Sequence, residues 1–98
     1  MPLIKFHEPM FYSHLDEEMF FIALRKISAV KKIEGRSRSG LHVSVLSRPS
    51  NKALRELLGL FFRFGIDMRE LAQFLTEENR AWFHGAEKYW FKKVFSKR

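Results

Sequence analysis

Residues 30–47, VKKIEGRSRSGLHVSVLS, decide the fold. Leu41, Val43 and Val45 alternate with His42, Ser44 and Leu46, the two-residue period of a strand with one face covered. Val30 and Ile33 offer a shorter apolar partner, and Gly35-Arg36-Ser37-Arg38-Ser39-Gly40 between them is a run of small and basic residues flanked by glycines. The pattern predicts a β-hairpin with a mobile basic tip.

Upstream of the hairpin the period is helical. Ser13 precedes Asp16 by three, a capping-box-like start, and Asp16, Glu17 and Glu18 fall in a first turn, where the positive end of a helix favours acid. A helix is expected over about 14–29, with Leu15, Met19, Ile22, Ala23, Ile27 and Val30 as its core stripe; Phe21, on the polar side, is either an exposed aromatic or a sign that two faces of the helix are covered. Before it, Leu3 to Phe6 reads as a short edge strand closed by Pro9.

Downstream, Ser50 is the expected cap of a helix to about Phe64. Lys52, Arg55, Glu56, Gly59 and Arg63 share a narrow arc of that helix. Leucines and phenylalanines fill the rest, as in a central helix buried on more than one side. Gly65 fits a left-handed C-terminal cap, and Asp67-Met68-Arg69-Glu70 repeats the capping-box pattern, predicting a helix to about Leu75. Thr76-Glu77-Glu78 opens a last helix reaching Phe95, which Gly85 bends or divides. The expected fold is therefore α+β: one mainly helical domain over residues 1–98, with about four helices, a small β-hairpin and a third short N-terminal strand.

Positive charge is partitioned rather than spread. Residues 25–48 carry seven basic side chains (Arg25, Lys26, Lys31, Lys32, Arg36, Arg38, Arg48) against Glu34 alone, and residues 80–98 carry six against Glu87, while the intervening stretches are mildly acidic; the whole chain is +7. Like-charged blocks repel each other and lose hydration when buried, so both are expected at the surface, facing an anionic partner. Aromatic content is the other excess: eleven Phe, two Trp and two Tyr exceed what so small a core requires, leaving some rings for contacts. There is no cysteine, and so no disulfide and no thiolate metal site. The opening residues hold no apolar core of signal-peptide length, and no apolar run approaches a bilayer span. The expectation is a cytoplasmic protein with no membrane partner.

The segment from Leu54 to Phe74 resembles a helix-turn-helix, with Gly65 at the turn. It departs from that motif in placing Phe61 where the helices cross on a small side chain, and in offering Asp67 and Glu70 to phosphate. A plain helical corner accounts for it better. Catalytic chemistry finds little footing. His14 and Glu18 lack further metal ligands, the other histidines are scattered singly, and neither a phosphate-cradling loop nor a nucleophile elbow is present. No catalytic residue, metal or cofactor is expected.

The candidate contact residues are Lys31, Lys32, Arg36, Arg38 and Arg48 in and around the hairpin, and Lys88, Phe91, Lys92 and Phe95 near the C-terminus. Trp82 and Tyr89 are expected in the core. Two readings follow. In one, the chain is a non-catalytic protein-binding inhibitor, of the kind that neutralises a toxin or another enzyme, using charge for fast association and aromatic anchors for slow release. In the other, it binds nucleic acid, the basic hairpin and C-terminus gripping one phosphate backbone from two places. The apolar surplus leans toward a protein partner with an acidic face.

Overall fold

Strand β3 (Gly40–Val45) is the centre of a three-stranded antiparallel sheet in the computed structural model, which describes residues 2–36, 38 and 40–96. It pairs on one side with β2 (Val30–Arg36) and on the other with β1 (Leu3–Phe6), in the order β1-β3-β2. Because β1 and β2 both run antiparallel to β3, they are parallel to each other, and helix α1 (His14–Lys26) joins them across the sheet as a split β-α-β crossover. The hairpin and the N-terminal strand are where the sequence places them.

The hairpin is tighter than expected, since β2 extends through Arg36 and β3 begins at Gly40. Of the expected mobile tip, Gly35 and Arg36 belong to β2, Gly40 belongs to β3 and Arg38 lies in a turn, while Ser37 and Ser39 lie outside the described residues. Gly40 is fixed by its surroundings: its φ is 80°, and a Cβ there would stand 2.3 Å from the Phe6 carbonyl oxygen. Val30 and Ile33 both serve the inner face although they are three residues apart, which a regular strand forbids. The register absorbs the mismatch in a bulge: Val30 faces Val45, Lys32 faces Ser44, and Lys31 is the extra residue. From there Ile33 and Gly35 fall on the inner face with Val43 and Leu41, and Lys32, Glu34 and Arg36 on the outer one.

Helix α1 is capped as predicted, the Ser13 hydroxyl accepting from the Asp16 N–H at 3.1 Å, but it ends at Lys26, and Ile27 is already extended. Its orientation differs from the expected one. Of the expected stripe Ile27 is buried and Val30 packs against the core, but Phe20 and Leu24, outside that stripe, are buried and Phe21 packs against the core, whereas Leu15, Met19 and Ile22 are exposed. Two apolar stripes with the same i, i+4, i+7 spacing run along opposite sides of this helix, and periodicity alone does not choose between them. Volume does. Phe20 sits among Phe11, Phe21 and Phe64 at centroid distances of 5.1–5.7 Å, a cluster the smaller side chains do not build.

Helix α2 (Asn51–Phe64) is the central helix its wide apolar arc implies. Ser50 caps it through the Ala53 N–H, Gly65 closes it at φ 69°, and Ala53, Leu54, Leu57, Leu58 and Phe61 are buried. Each large side chain so covered contributes about 1.5–3 kcal/mol by area removed from water.

After Gly65 the expected α-helix is a six-residue 3-10 helix, Arg69–Phe74. Met68, Leu71 and Phe74 are buried and recur every three residues, the period of a 3-10 rather than an α-helix. The supposed capping residues are otherwise engaged. Asp67 accepts from the Arg69 N–H and guanidinium, and the Glu70 carboxylate accepts from the Lys5 N–H at 2.9 Å, tying the segment to the outer edge of β1. With no α-helix here and its apolar side turned inward, no recognition helix exists.

The single final helix is likewise replaced by two short ones, α3 (Arg80–Phe83) and α4 (Phe91–Phe95), interrupted around Gly85. Thr76 does begin the segment, in a reciprocal pair: its N–H donates to the Asn79 side-chain oxygen at 2.8 Å and its hydroxyl accepts from the Asn79 N–H at 3.2 Å. The Trp90 indole N–H donates to the Phe83 carbonyl at 2.7 Å and closes the turn between α3 and α4. Trp90 is in the core, Trp82 is half-buried, and Tyr89, expected inside, is exposed. Among the described residues, five helical segments and three strands thus make an α+β unit over one continuous core, and no helix is long and apolar enough to cross a membrane.

Candidate partner-binding surface

All five hairpin-block candidates reach solvent, each by a different route. Lys31 projects from the bulge, Lys32 and Arg36 from alternate outer positions of β2, Arg38 from the turn, and Arg48 from the connection between β3 and α2. Glu34 stands between two of them on the outer face, 3.6 Å from the Lys32 ammonium and 3.4 Å from the Arg36 guanidinium. These bridges are exposed and contribute at most about 1 kcal/mol each, so they do not hold either cation away from a partner. Among the described residues no carboxylate pairs with Lys31, Arg38 or Arg48.

Below the β2 edge, between that strand and α1, runs an open groove of about 610 Å³. Phe21, Val30, Ile33 and Leu41 form its apolar floor, Arg25, Lys31 and Lys32 its basic rim, and Glu8 stands among its lining residues. Gly35 is among its lining residues. That residue faces inward opposite Leu41 but carries no side chain, and a Cβ there would meet nothing within 4 Å. β2 is also a sheet edge, so among the described residues no strand lies beside one side of its backbone. The other edge differs: β1 is covered by the 3-10 helix and the Glu70 bond to Lys5.

Sequence reasoning had the cations of this groove but missed its floor. Of the two alternatives for Phe21, an exposed ring or a second covered face of the helix, the second holds, while Gly35 reads in the sequence only as a loop residue. The signal for the floor was the three-residue spacing of Val30 and Ile33, which demands a bulge and brings both side chains to the same side.

The C-terminal candidates do not join the hairpin. α4 packs on the 3-10 helix, which packs on β1, so this block lies beyond the sheet edge opposite to β2. Phe91 and Phe95 are half-buried; Phe95 packs against the core, 5.0 Å from Phe83 and 4.6 Å from the exposed His84, and Phe91 lies 5.2 Å from His84. Lys88 is half-buried and Lys92 exposed, with no carboxylate partner among the described residues; Lys97 and Arg98 fall outside those residues. The exposed rings of this region are Tyr89 and Phe62, stacked edge to face at 4.8 Å, with the Lys93 ammonium 5.7 Å over Phe62. Partial burial pushes the Tyr89 phenol above its ordinary range.

Elsewhere the titratable groups form simple surface pairs. His14 lies 3.7 Å from Glu17, and the Arg69 guanidinium, hydrogen-bonded to Asp67 and beside its charge, is held even more firmly protonated than usual. Among the described residues no group of three or more His, Cys, Asp or Glu side chains is placed to hold a metal ion. Comparison with protein-family models, with curated proteins and with solved structures finds no match to this chain.

Proposed function

We propose that this chain is a non-catalytic binding protein of the cytoplasm that neutralises a protein partner presenting an acidic face, in the manner of a toxin immunity protein or an enzyme inhibitor. The groove beneath β2 carries this reading. Its floor suits apolar side chains, its rim suits carboxylates, and the free strand edge offers backbone hydrogen bonds to an extended segment alternating the two. Phosphate backbones make poor use of such a floor. The rim also disfavours pairing between two copies of β2, since Lys31 and Lys32 would meet their own kind.

Nucleic-acid binding is the second reading, and one observation favours it: Lys5, Lys32 and Arg36 all project from the open face of the sheet. Glu34 lies among them, and the C-terminal lysines are beyond the opposite sheet edge, where they cannot close on the same stretch of backbone.

Selection of random-sequence peptides displayed on phage against the purified protein separates the two. The expected ligands are acidic, with apolar residues at alternate positions, and the double variant Lys31→Glu/Lys32→Glu binds them at least about tenfold more weakly, or about 1.4 kcal/mol. Peptides that bind the variant equally well contradict the groove. Failure to enrich any acidic peptide, together with binding of duplex or single-stranded nucleic acid that weakens steeply with salt, supports the second reading.

A further inference from the structure

The largest run of exposed apolar side chains lies away from the groove. On α1, Leu15 is 60% exposed, Met19 47% and Ile22 42%, and in the segment leading into the helix Met10 is 76% and Tyr12 86% exposed. At 100° per residue Leu15, Met19 and Ile22 form one line, opposite the buried line of Phe20, Leu24 and Ile27. Lys26 continues the exposed line by one further step of four. A helix with a core stripe on one side and an apolar stripe on the other has two packing faces, and one of them is unused within the chain.

The charges along this stripe indicate its occupant. Asp16, Glu17 and Glu18 sit at the N-terminal end of α1 and Arg25 and Lys26 at its C-terminal end, so the helix is acidic at one end and basic at the other. Such an arrangement is complementary to itself when two copies meet antiparallel, as a two-fold axis requires. With the axis passing between Met19 and Ile22, Met19 of each copy packs on Ile22 of the other. The aliphatic stem of Lys26 then lies over the other copy's Leu15, with its ammonium beside the other copy's Glu18. The helix dipoles also oppose each other in this arrangement. Among the described residues, neither Glu18 nor Lys26 has an ion-pair partner within its own chain.

We propose that the exposed face of α1, centred on Met19 and Ile22, is the interface of a two-fold symmetric homodimer in which α1 pairs antiparallel with α1 of a second copy. The interface is small and each chain is strongly basic, so association is of moderate strength and weakest at low salt.

Sedimentation equilibrium of the full chain at physiological salt, from about 1 µM to about 1 mM, spans the range of weak to moderate affinities. The expected result is a monomer–dimer equilibrium within that range, shifted at least about tenfold toward monomer by Met19→Glu. Because Met19 is exposed, the circular dichroism of the variant should match that of the parent. Glu18→Lys and Lys26→Glu each place like charges across the axis twice and should weaken the dimer. The double variant Glu18→Lys/Lys26→Glu should restore it, because both cross-axis pairs reappear with their signs exchanged. A monomer throughout the range, a dimer unaffected by Met19→Glu, or a charge swap that fails to restore association would each overturn the proposal. The test is independent of the β2 groove, since none of these residues lines it.

Discussion

Two glycines carry opposite structural meanings that a count of glycines conceals. Gly40 has positive φ and no room for a methyl group against the Phe6 carbonyl, so Gly40→Ala should cost about 3 kcal/mol through backbone strain and displacement of β1. Gly59, inside α2, would place a Cβ in ordinary contact, 3.8 Å from the Tyr89 hydroxyl, so Gly59→Ala should stabilise by about 1 kcal/mol. Urea unfolding midpoints of the two variants should move in opposite directions. Tyr89 offers a third residue-scale test. Burial disfavours its phenolate, so its pKa in the folded protein lies above the ordinary 10.0. The stability tied to this group is complete below the unfolded pKa and is lost as pH rises through the folded one. In Tyr12→Phe, where Tyr89 is the sole tyrosine, the absorbance titration should have its midpoint above 10, and Tyr89→Phe should unfold less readily at alkaline pH. These three positions were only partly legible in the sequence: the place of Gly59 on α2 was, but the approach of Phe6 to Gly40 and of Tyr89 to Gly59 arises from tertiary packing.

Elements were legible where a local signal had no rival. Ser13 and Ser50 as caps, Gly65 as a left-handed terminator and the alternation in β3 all have the roles their chemistry suggests. They were misread where one pattern served two structures: the double stripe of α1, and the Asp67/Glu70 pair, whose carboxylates serve Arg69 and Lys5 instead of a helix end. The final segment shows what replaces a long helix. Asn79 is the one buried polar side chain among the described residues, and besides its reciprocal bonds with Thr76 its amide donates to the Phe74 carbonyl at 2.8 Å. It thereby joins the end of the 3-10 helix to the start of α3. Asn79→Ala removes the two bonds of its own side chain and leaves the Thr76 N–H without its acceptor and the Phe74 carbonyl without its donor, so about 2–3 kcal/mol of stability should be lost. Amide hydrogen exchange should show the damage concentrated at Thr76 and in α3. Uniform loss of protection across the sheet would mean that Asn79 does not act locally.

At the scale of the molecule, the charge partition in the sequence becomes a separation in space, with one basic block along the β2 edge and the other beyond the β1 edge. Composition revealed the blocks. It did not reveal their separation, because that follows from strand order: β3, last in sequence, inserts between β1 and β2 and sends the 3-10 helix and α4 to the far side. The groove was hidden for a similar reason, its floor being drawn from α1, β2 and β3 together. One of its lining residues, Gly35, carries no side chain. Gly35→Val adds a β-branched residue to a strand where nothing lies within 4 Å of the new Cβ, so the fold should be retained with a small gain of about 0.5–1 kcal/mol, while the groove fills over Leu41. The most direct measurement is the affinity of selected acidic, apolar-alternating peptides for the parent protein and for Gly35→Val, by isothermal calorimetry. Loss of binding in a variant at least as stable as the parent is the predicted result; undiminished binding would contradict the assignment of this groove as the partner site.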